Sequence, residues 1–303
     1  MTNSEKNSTL SHEAHERHHQ DNYSKGIDYL SSRRNTDCVS YKISIQYLDP
    51  LLPLLKEKNS WLTIGDFTGF EAQYLTEHNQ NATASDISDV FLKDAYEQKL
   101  IENYKKINVE QIDCDEDSFD YLLCKESFHH FPRAYLGLYE MIRVAKKGAI
   151  LVEPVDVLSK MPLLLYLKNI CDLFNPHLIN KFWKNRFSWE VVGNYVFKIS
   201  EREVEKIAMG MGLSCIAFKE MNIRLAPIPE KWGDSNKTPM DTKLYKKLKR
   251  KFSIWNLICK LRIIPYNTSC AIIFKEKPSV ELIQDLKKNN YRVIELPANP
   301  YLS

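Results

Sequence analysis

Polar residues able to do chemistry gather where apolar runs stop. In EDSFDYLLCKESFHHF (116–131) a run suited to a buried strand ends in Lys125, Glu126, His129 and His130. An imidazole titrates near neutrality, so His129 is the candidate general base, with Glu126 beside it, while His130 packs or orients the loop. Three other places have the same character. In LTIGDFTGFEA (62–72), Gly65 and Gly69 let the backbone pass close to a ligand between a strand and its helix. Asp86 in ATASDIS can accept hydrogen bonds from both hydroxyls of a ribose, and Asn108 with Val109 offers a side-chain amide and a backbone N–H to an adenine edge. Each taken singly reads as readily as a loop acid, an N-cap or an exposed amide. Their order along the chain gives them weight, because nucleotide-like ligands bind at the carboxyl ends of parallel strands.

The elements that must position them follow from the periodicity. Strands are expected at Trp61 to Ile64, Ala82 to Asp86, Lys106 to Val109, Phe119 to Cys124 and Gly148 to Val152. Between them lie helical patterns, the clearest having Tyr135, Leu138, Tyr139 and Ile142 on one face. Strands separated by helices imply right-handed crossovers and a parallel sheet, hence an α/β core. From Val157 the chain turns rich in Leu, Phe and Trp, which reads as a helical insertion over the sheet. Trp183, Trp189 and Tyr195 are its candidate wall residues. The core resumes at ISERE, where Ser200 and Glu203 have capping-box spacing, and continues through apolar strands at Leu213 to Phe218 and Cys270 to Phe274.

Composition narrows the partners. With 42 basic and 39 acidic side chains in 303 residues the net charge is +3, which speaks against wholesale nucleic-acid binding. Seven scattered cysteines with no CxxC pair read as reduced thiols, and the N-terminus lacks an apolar export segment, so the expected location is cytoplasmic. The apolar stretch Met161 to Phe174 is too short and too charged to span a membrane, so no transmembrane segment is expected. His12, His15, His18 and His19 have helical spacings that suit a metal. No cysteine or second-half ligand joins them in the sequence, so no metal is expected and residues 1 to 20 read as a solvated tail. The basic run KLYKKLKRK (243–251) reads as a solvated face, or as a contact for an anionic or lipid-linked substrate.

On these residues the chain resembles the class I S-adenosylmethionine-dependent methyltransferases of the type-11-like group. IGDFTG stands where that family carries its glycine-rich loop, ASDIS at its ribose-binding acid, and INVEQI at its adenine-side turn; DSFDYLLCKESFHHF followed by LYEMIRVAKKGAILVEP is the most specific match. The resemblance implies a Rossmann-like, seven-stranded, mostly parallel sheet with helices on both faces, an antiparallel C-terminal strand and a helical lid. It implies S-adenosyl-L-methionine as cofactor, held by Gly65, Asp66, Gly69, Asp86, Ile87, Asn108, Val109 and Lys125, with His129 and Glu126 at the transfer step. It also places Tyr23 over the cofactor. Two positions depart from the pattern. Thr63 stands where many members have an acid, for which Asp66 is placed to compensate, and Phe67 replaces a loop glycine, narrowing the pocket while offering a ring to a sulfonium.

The expected organisation is a mobile tail and helical cap over 1–58, a cofactor-binding domain over 59–156 and 199–278, a lid over 157–198 and a C-terminal tail over 279–303. The acceptor is expected to be a small molecule or glycan intermediate. An RNA or protein methyltransferase and a non-catalytic cofactor-binding partner are the alternatives. Tyr121 and Lys125 have the YxxxK spacing of a nicotinamide dehydrogenase, but Tyr121 lies on a strand and the loop lacks GxGxxG.

Overall fold

The computed structural model describes residues 3–26, 28–30, 39–181, 188–190, 192–223 and 243–301. Among the described residues, the helices α1 (Asn3–Ser24) and α2 (Val39–Leu48) precede the sheet. Strands and helices then alternate: β1 (Ser60–Ile64), α3 (Phe70–Glu77), β2 (Asn81–Asp86), α4 (Val90–Glu97), β3 (Tyr104–Lys106), β4 (Phe119–Lys125), α5 (Ala134–Val144) and β5 (Ala145–Pro154). Beyond these lie α6 (Pro162–Phe174), α7 (Glu201–Gly210), β6 (Cys215–Met221), α8 (Lys243–Lys260), β7 (Thr268–Phe274), α9 (Val280–Lys288) and β8 (Arg292–Glu295).

One eight-stranded sheet has the order β3-β2-β1-β4-β5-β7-β6-β8. The first five are parallel, while β7 runs antiparallel to β5, β6 to β7 and β8 to β6. Side chains alternate across the central strands. Trp61 and Leu123 pack on one face with Leu75 and Ile272, and Leu62 and Leu122 pack on the other with Leu138, Ile142 and Ile273. Both faces are therefore dry, which is why these strands read as continuous apolar runs. The chain leaves β1 toward β2 on one side and returns to β4 on the other, so the sheet reverses direction between β1 and β4. Loops from neighbouring strands part there and leave a crevice at the carboxyl ends.

The sequence reading is corrected in four places. The sheet has eight strands rather than seven, because residues 279–303 are no simple tail: Ser279 caps α9 through the Leu282 amide, and β8 pairs on the outer edge of β6. An edge strand with half of its face wet carries no apolar run to betray it. The third strand lies at Tyr104–Lys106, ahead of its expected place, so Ile107, Asn108 and Val109 form the turn beyond it. The N-terminal segment is helical from Asn3 to Ser24 where a mobile tail is expected. That helix has no apolar stripe, and scattered contacts hold it instead: Glu16 pairs with Lys106, His19 lies against Asp86, and Tyr23 sets its ring edge-on to Phe91. Tyr23 thus packs on α4. Finally, α6 has no fully buried residue, with Leu163, Leu173 and Phe174 each 81 % exposed, and none of its residues lines the crevice, where the sequence reading expects a lid.

The capping box forms as its spacing predicts: the Ser200 hydroxyl accepts from the Glu203 amide, and the Glu203 carboxylate accepts from the Ser200 amide. In α8 the described lysines face solvent, as do Ile254 and Leu257. Among the described residues no helix is long and apolar enough to cross a membrane.

Candidate active site

At the end of β1, Gly65 adopts a positive φ of 66°. Its carbonyl accepts from the Ser127 hydroxyl at 2.8 Å, tying the first loop to the fourth. A Cβ at this position would stand 2.5 Å from Ser127 Cβ, so only glycine lets the two loops meet. Gly69, at φ 75°, caps α3 and abuts Ile101 and Leu92. Asp66 is buried beneath this loop, accepting from the Thr63 hydroxyl at 2.8 Å and from the Glu71 and Ala72 amides at 3.2 and 2.9 Å. Asp66 and Gly69 thus shape the loop from behind.

The ends of β2 and β3 supply the polar wall. Asp86 is 5 % exposed; one oxygen accepts from the Ser88 amide at 3.0 Å and lies 3.4 Å from Nδ1 of His19. Ile87, Asn108 and Val109 line the same hollow. The Asn108 side chain accepts from the Glu110 amide, and its Nδ2 lies 3.3 Å from Nδ1 of His12.

Beyond β4 the two neighbouring histidines diverge. A short 3-10 turn, Phe128–His130, follows Ser127, and the buried Glu153 on β5 organises it. One carboxylate oxygen accepts from the Ser127 and Phe128 amides at 2.7 and 2.8 Å, and the other lies 2.6 Å from Nδ1 of His129. Burial pulls the His129 imidazole down, but the Glu153 hydrogen bond and charge, with Glu126 and Glu190 beyond, hold it above its ordinary value. His130 turns the other way, into the hollow, with Nδ1 2.6 Å from Glu190. Its pKa is lowered, first by burial and then by the His129 charge. Lys125 does not reach the hollow. Its Nζ lies 2.7 Å from the Glu71 carboxylate and over the Tyr47 ring at 5.3 Å. Glu126, at φ 53°, does line it.

The crevice is thus a cavity of about 310 Å³ walled by Gly65, Asp86, Ile87, Asn108, Val109 and Glu126. Its roof is α1, whose His12, His15 and His19 face inward. His19 packs 4.5 Å from the Phe67 ring, which also meets Phe91 at 4.7 Å. An open cleft adjoins it between α1 and the 188–196 segment, with Trp189, Glu190 and His130 on its walls. Tyr195 packs edge-on between Trp189 and Phe197; Trp183 lies outside the described residues. A second hollow of similar size, about 340 Å³, lies at the opposite ends of the strands, between Pro53, Tyr121, Lys147 and Phe274. No glycine loop faces it.

Of the residues that sequence reasoning put at the site, the structure brings together Gly65, Asp86, Ile87, Asn108, Val109 and Glu126, while Asp66, Gly69, Lys125 and His129, expected to touch cofactor or acceptor, stand behind them because each is drawn to a buried partner or packs under the loop. Sequence reasoning misses Glu153, Ser127 and the roof histidines. The acid in GAILVEP was a usable signal, since a carboxylate closing a buried strand needs partners.

Residues 62–152 match the family model described as "Methyltransferase domain". This stretch is a methyltransferase domain. No curated protein sequence matches the chain. Among solved structures the chain is similar to magnesium protoporphyrin IX methyltransferase from Synechocystis with bound S-adenosylhomocysteine, at 15 % identity over 73 % of this chain and 95 % of that one, TM-score 0.45. It is also similar to a sarcosine dimethylglycine methyltransferase candidate from Galdieria sulphuraria, at 12 % identity over 79 % and 86 %, TM-score 0.47. The cavity suits S-adenosylmethionine in charge and shape. Two carboxylates, Asp86 and Glu126, face the space, and the Phe67 and Phe131 rings flank it, as a ligand with ribose hydroxyls and a sulfonium cation requires.

Proposed function

We propose that this methyltransferase transfers a methyl group to a small-molecule or glycan-intermediate acceptor, working in the cytoplasm. The observation that carries the reading is the cavity at the sheet's crossover, where Gly65, Asp86, Ile87, Asn108 and Val109 converge with Glu126. An open cleft meets it at His15, His19, Phe67 and His130, as an acceptor of modest size would need. Among the described residues the cysteines are all free thiols, in keeping with a reducing compartment.

Bound S-adenosylmethionine supplies an electrophilic methyl on its sulfonium. The chain's part is to hold and align. The Asp86 carboxylate accepts from the ribose hydroxyls, Asn108 and the Val109 amide address the adenine edge, Ile87 packs against it, and Gly65 admits the backbone to close approach. Asp66, Gly69 and Lys125 act at one remove, by fixing the loops. Alignment of donor and acceptor can remove roughly 7 to 11 kcal/mol of barrier. Where the acceptor must lose a proton, Glu126 is the carboxylate that faces the cavity besides Asp86. His129, drawn to Glu153, is a positioning residue that fixes the turn carrying Ser127 and His130.

Two outcomes follow. Asp86→Asn keeps the shape but removes the charge that strengthens the ribose hydrogen bonds, and it is expected to weaken S-adenosylhomocysteine binding about tenfold in calorimetry. Unchanged affinity would move the ribose elsewhere. For the acceptor, the protein is incubated with isotopically labelled cofactor and a fractionated cell extract. Label in a low-molecular-weight fraction supports the reading, label in RNA or protein replaces it with the other acceptor class, and cofactor binding without any transfer makes the chain a non-catalytic binder.

A further inference from the structure

We propose that His15, His130 and Glu190 form a binding site for a divalent transition metal of the zinc type, which clamps the N-terminal helix across the mouth of the cofactor cavity. Each residue offers one ligand atom, and the three atoms lie within 4.8 Å of one another. In a tetrahedral zinc site, with bonds of about 2.0 to 2.2 Å, neighbouring ligand atoms stand roughly 3.3 to 3.6 Å apart. Nε2 of His15 is 3.7 Å from Glu190 Oε2, close to that spacing, and Nδ1 of His130 is 2.6 Å from the same oxygen. Opening the His130–Glu190 pair by about 1 Å, within the reach of a rotamer adjustment, brings these two contacts to the spacing of ligands around one ion. Two imidazoles and a carboxylate are the donor set that zinc takes and that magnesium and calcium, which prefer oxygen, do not.

The tautomer of His15 supports the assignment. Its Nδ1 is 3.1 Å from the Ser11 carbonyl oxygen. A carbonyl only accepts, so Nδ1 carries the proton and the Nε2 lone pair points toward Glu190. A carbonyl fixing the far nitrogen of a ligating imidazole is the usual support in metal sites. The frame around the other two ligands is also set: the Glu190 amide donates to the Asn194 carbonyl at 3.0 Å, and Asn194 Nδ2 donates to the His130 carbonyl at 2.7 Å.

Residues 15, 130 and 190 belong to α1, the turn after β4 and the segment bridging Trp189 to Tyr195, so one ion would join three parts of the chain. His15 and His130 border both the cofactor cavity and the adjoining cleft. Three protein ligands leave a fourth position open, as catalytic zinc sites do. Resting on the transfer reading above, an ion held by three residues that line the acceptor's cleft would take an acceptor oxygen at that position.

The test uses the full chain, stripped with a chelator and titrated with Zn²⁺ and, separately, with Co²⁺ and Mg²⁺. Expected are one equivalent of Zn²⁺ bound with a Kd below about 1 µM, visible d–d bands with Co²⁺, and no competition from millimolar Mg²⁺. His15→Ala and Glu190→Gln should each weaken Zn²⁺ at least about 100-fold, while His18→Ala leaves it unchanged. Melting curves of the metal-free variants, matched to the parent, exclude unfolding as the cause. Zinc should also slow amide hydrogen exchange over residues 11–19. No stoichiometric binding, equal binding of Mg²⁺, or binding indifferent to His15 and Glu190 overturns the proposal. Calorimetry of the stripped protein with S-adenosylhomocysteine keeps the two readings apart: cofactor binding without zinc binding sinks the metal site alone.

Discussion

Gly65→Val is expected to weaken S-adenosylhomocysteine binding at least about 100-fold, which corresponds to roughly 2.7 kcal/mol. Two costs add at this position. The residue sits at φ 66°, a left-handed conformation that costs a residue with a Cβ about 1 to 2 kcal/mol. The new Cβ would also stand 2.5 Å from Ser127 Cβ and 2.7 Å from its hydroxyl oxygen. Relief of that overlap, itself worth about 1 to 3 kcal/mol, requires the Ser127 loop to withdraw. The hydroxyl's bond to the Gly65 carbonyl is then lost, and Glu126, adjacent in the chain, shifts with it. The damage therefore falls on the cavity wall as well as on the strand end. Calorimetry measures the affinity and a thermal melt the accompanying loss of stability. Affinity within about threefold of the parent would show that the cofactor does not pass over Gly65.

Lys125→Ala is expected to destabilise the fold by about 3 to 5 kcal/mol, because it strands the buried Glu71 carboxylate without its cation. The pair lies 2.7 Å apart, with the carboxylate side chain 9 % and the lysine 15 % exposed. The double variant Glu71→Gln/Lys125→Met replaces both charges and should recover most of the loss. Its S-adenosylhomocysteine affinity should match the parent, since neither residue lines the cavity. A Lys125→Ala protein that melts like the parent but no longer binds the cofactor would return Lys125 to the binding site.

The same pair sets part of the pH dependence. Burial pushes the Glu71 carboxyl up, but the Lys125 ammonium and a hydrogen bond with Asp66 outweigh it, so its pKa falls below 4.5. A depressed carboxyl contributes stability that is fully present above the ordinary value and is lost as pH falls through the lowered one. Acid unfolding monitored below pH 4.5 should therefore be shallower in the double variant than in the parent. Lys125, held above 10.5 by Glu71 against the pull of burial, adds a contribution that disappears only in strong alkali.

What local pattern can carry was legible. The parallel half of the sheet follows from apolar runs alternating with helical stripes, and the stops of those runs mark Gly65 and Asp86 because a strand that is dry on both faces must turn polar where it emerges. The β7–β6 pair was legible too, its strands being apolar enough to lie inside the sheet. The direction taken by His129 and His130 was not. They are neighbours with the same chemistry, and one turns to Glu153, 24 residues further on, while the other turns to Glu190, 60 further on.

The N-terminal helix shows the same division. Its residues carry no apolar stripe, so the sequence alone makes them a tail, yet His12, His15 and His19 find Glu110, Glu190 and Asp86 across the strand ends. The residues by themselves determined a parallel sheet and the strand ends that cradle a nucleotide-like ligand, since burial against a common core imprints a repeating pattern on the chain. Which polar groups meet above that cradle was decided only when distant loops came together, because a directional contact between two far-separated residues leaves no periodic trace around either one.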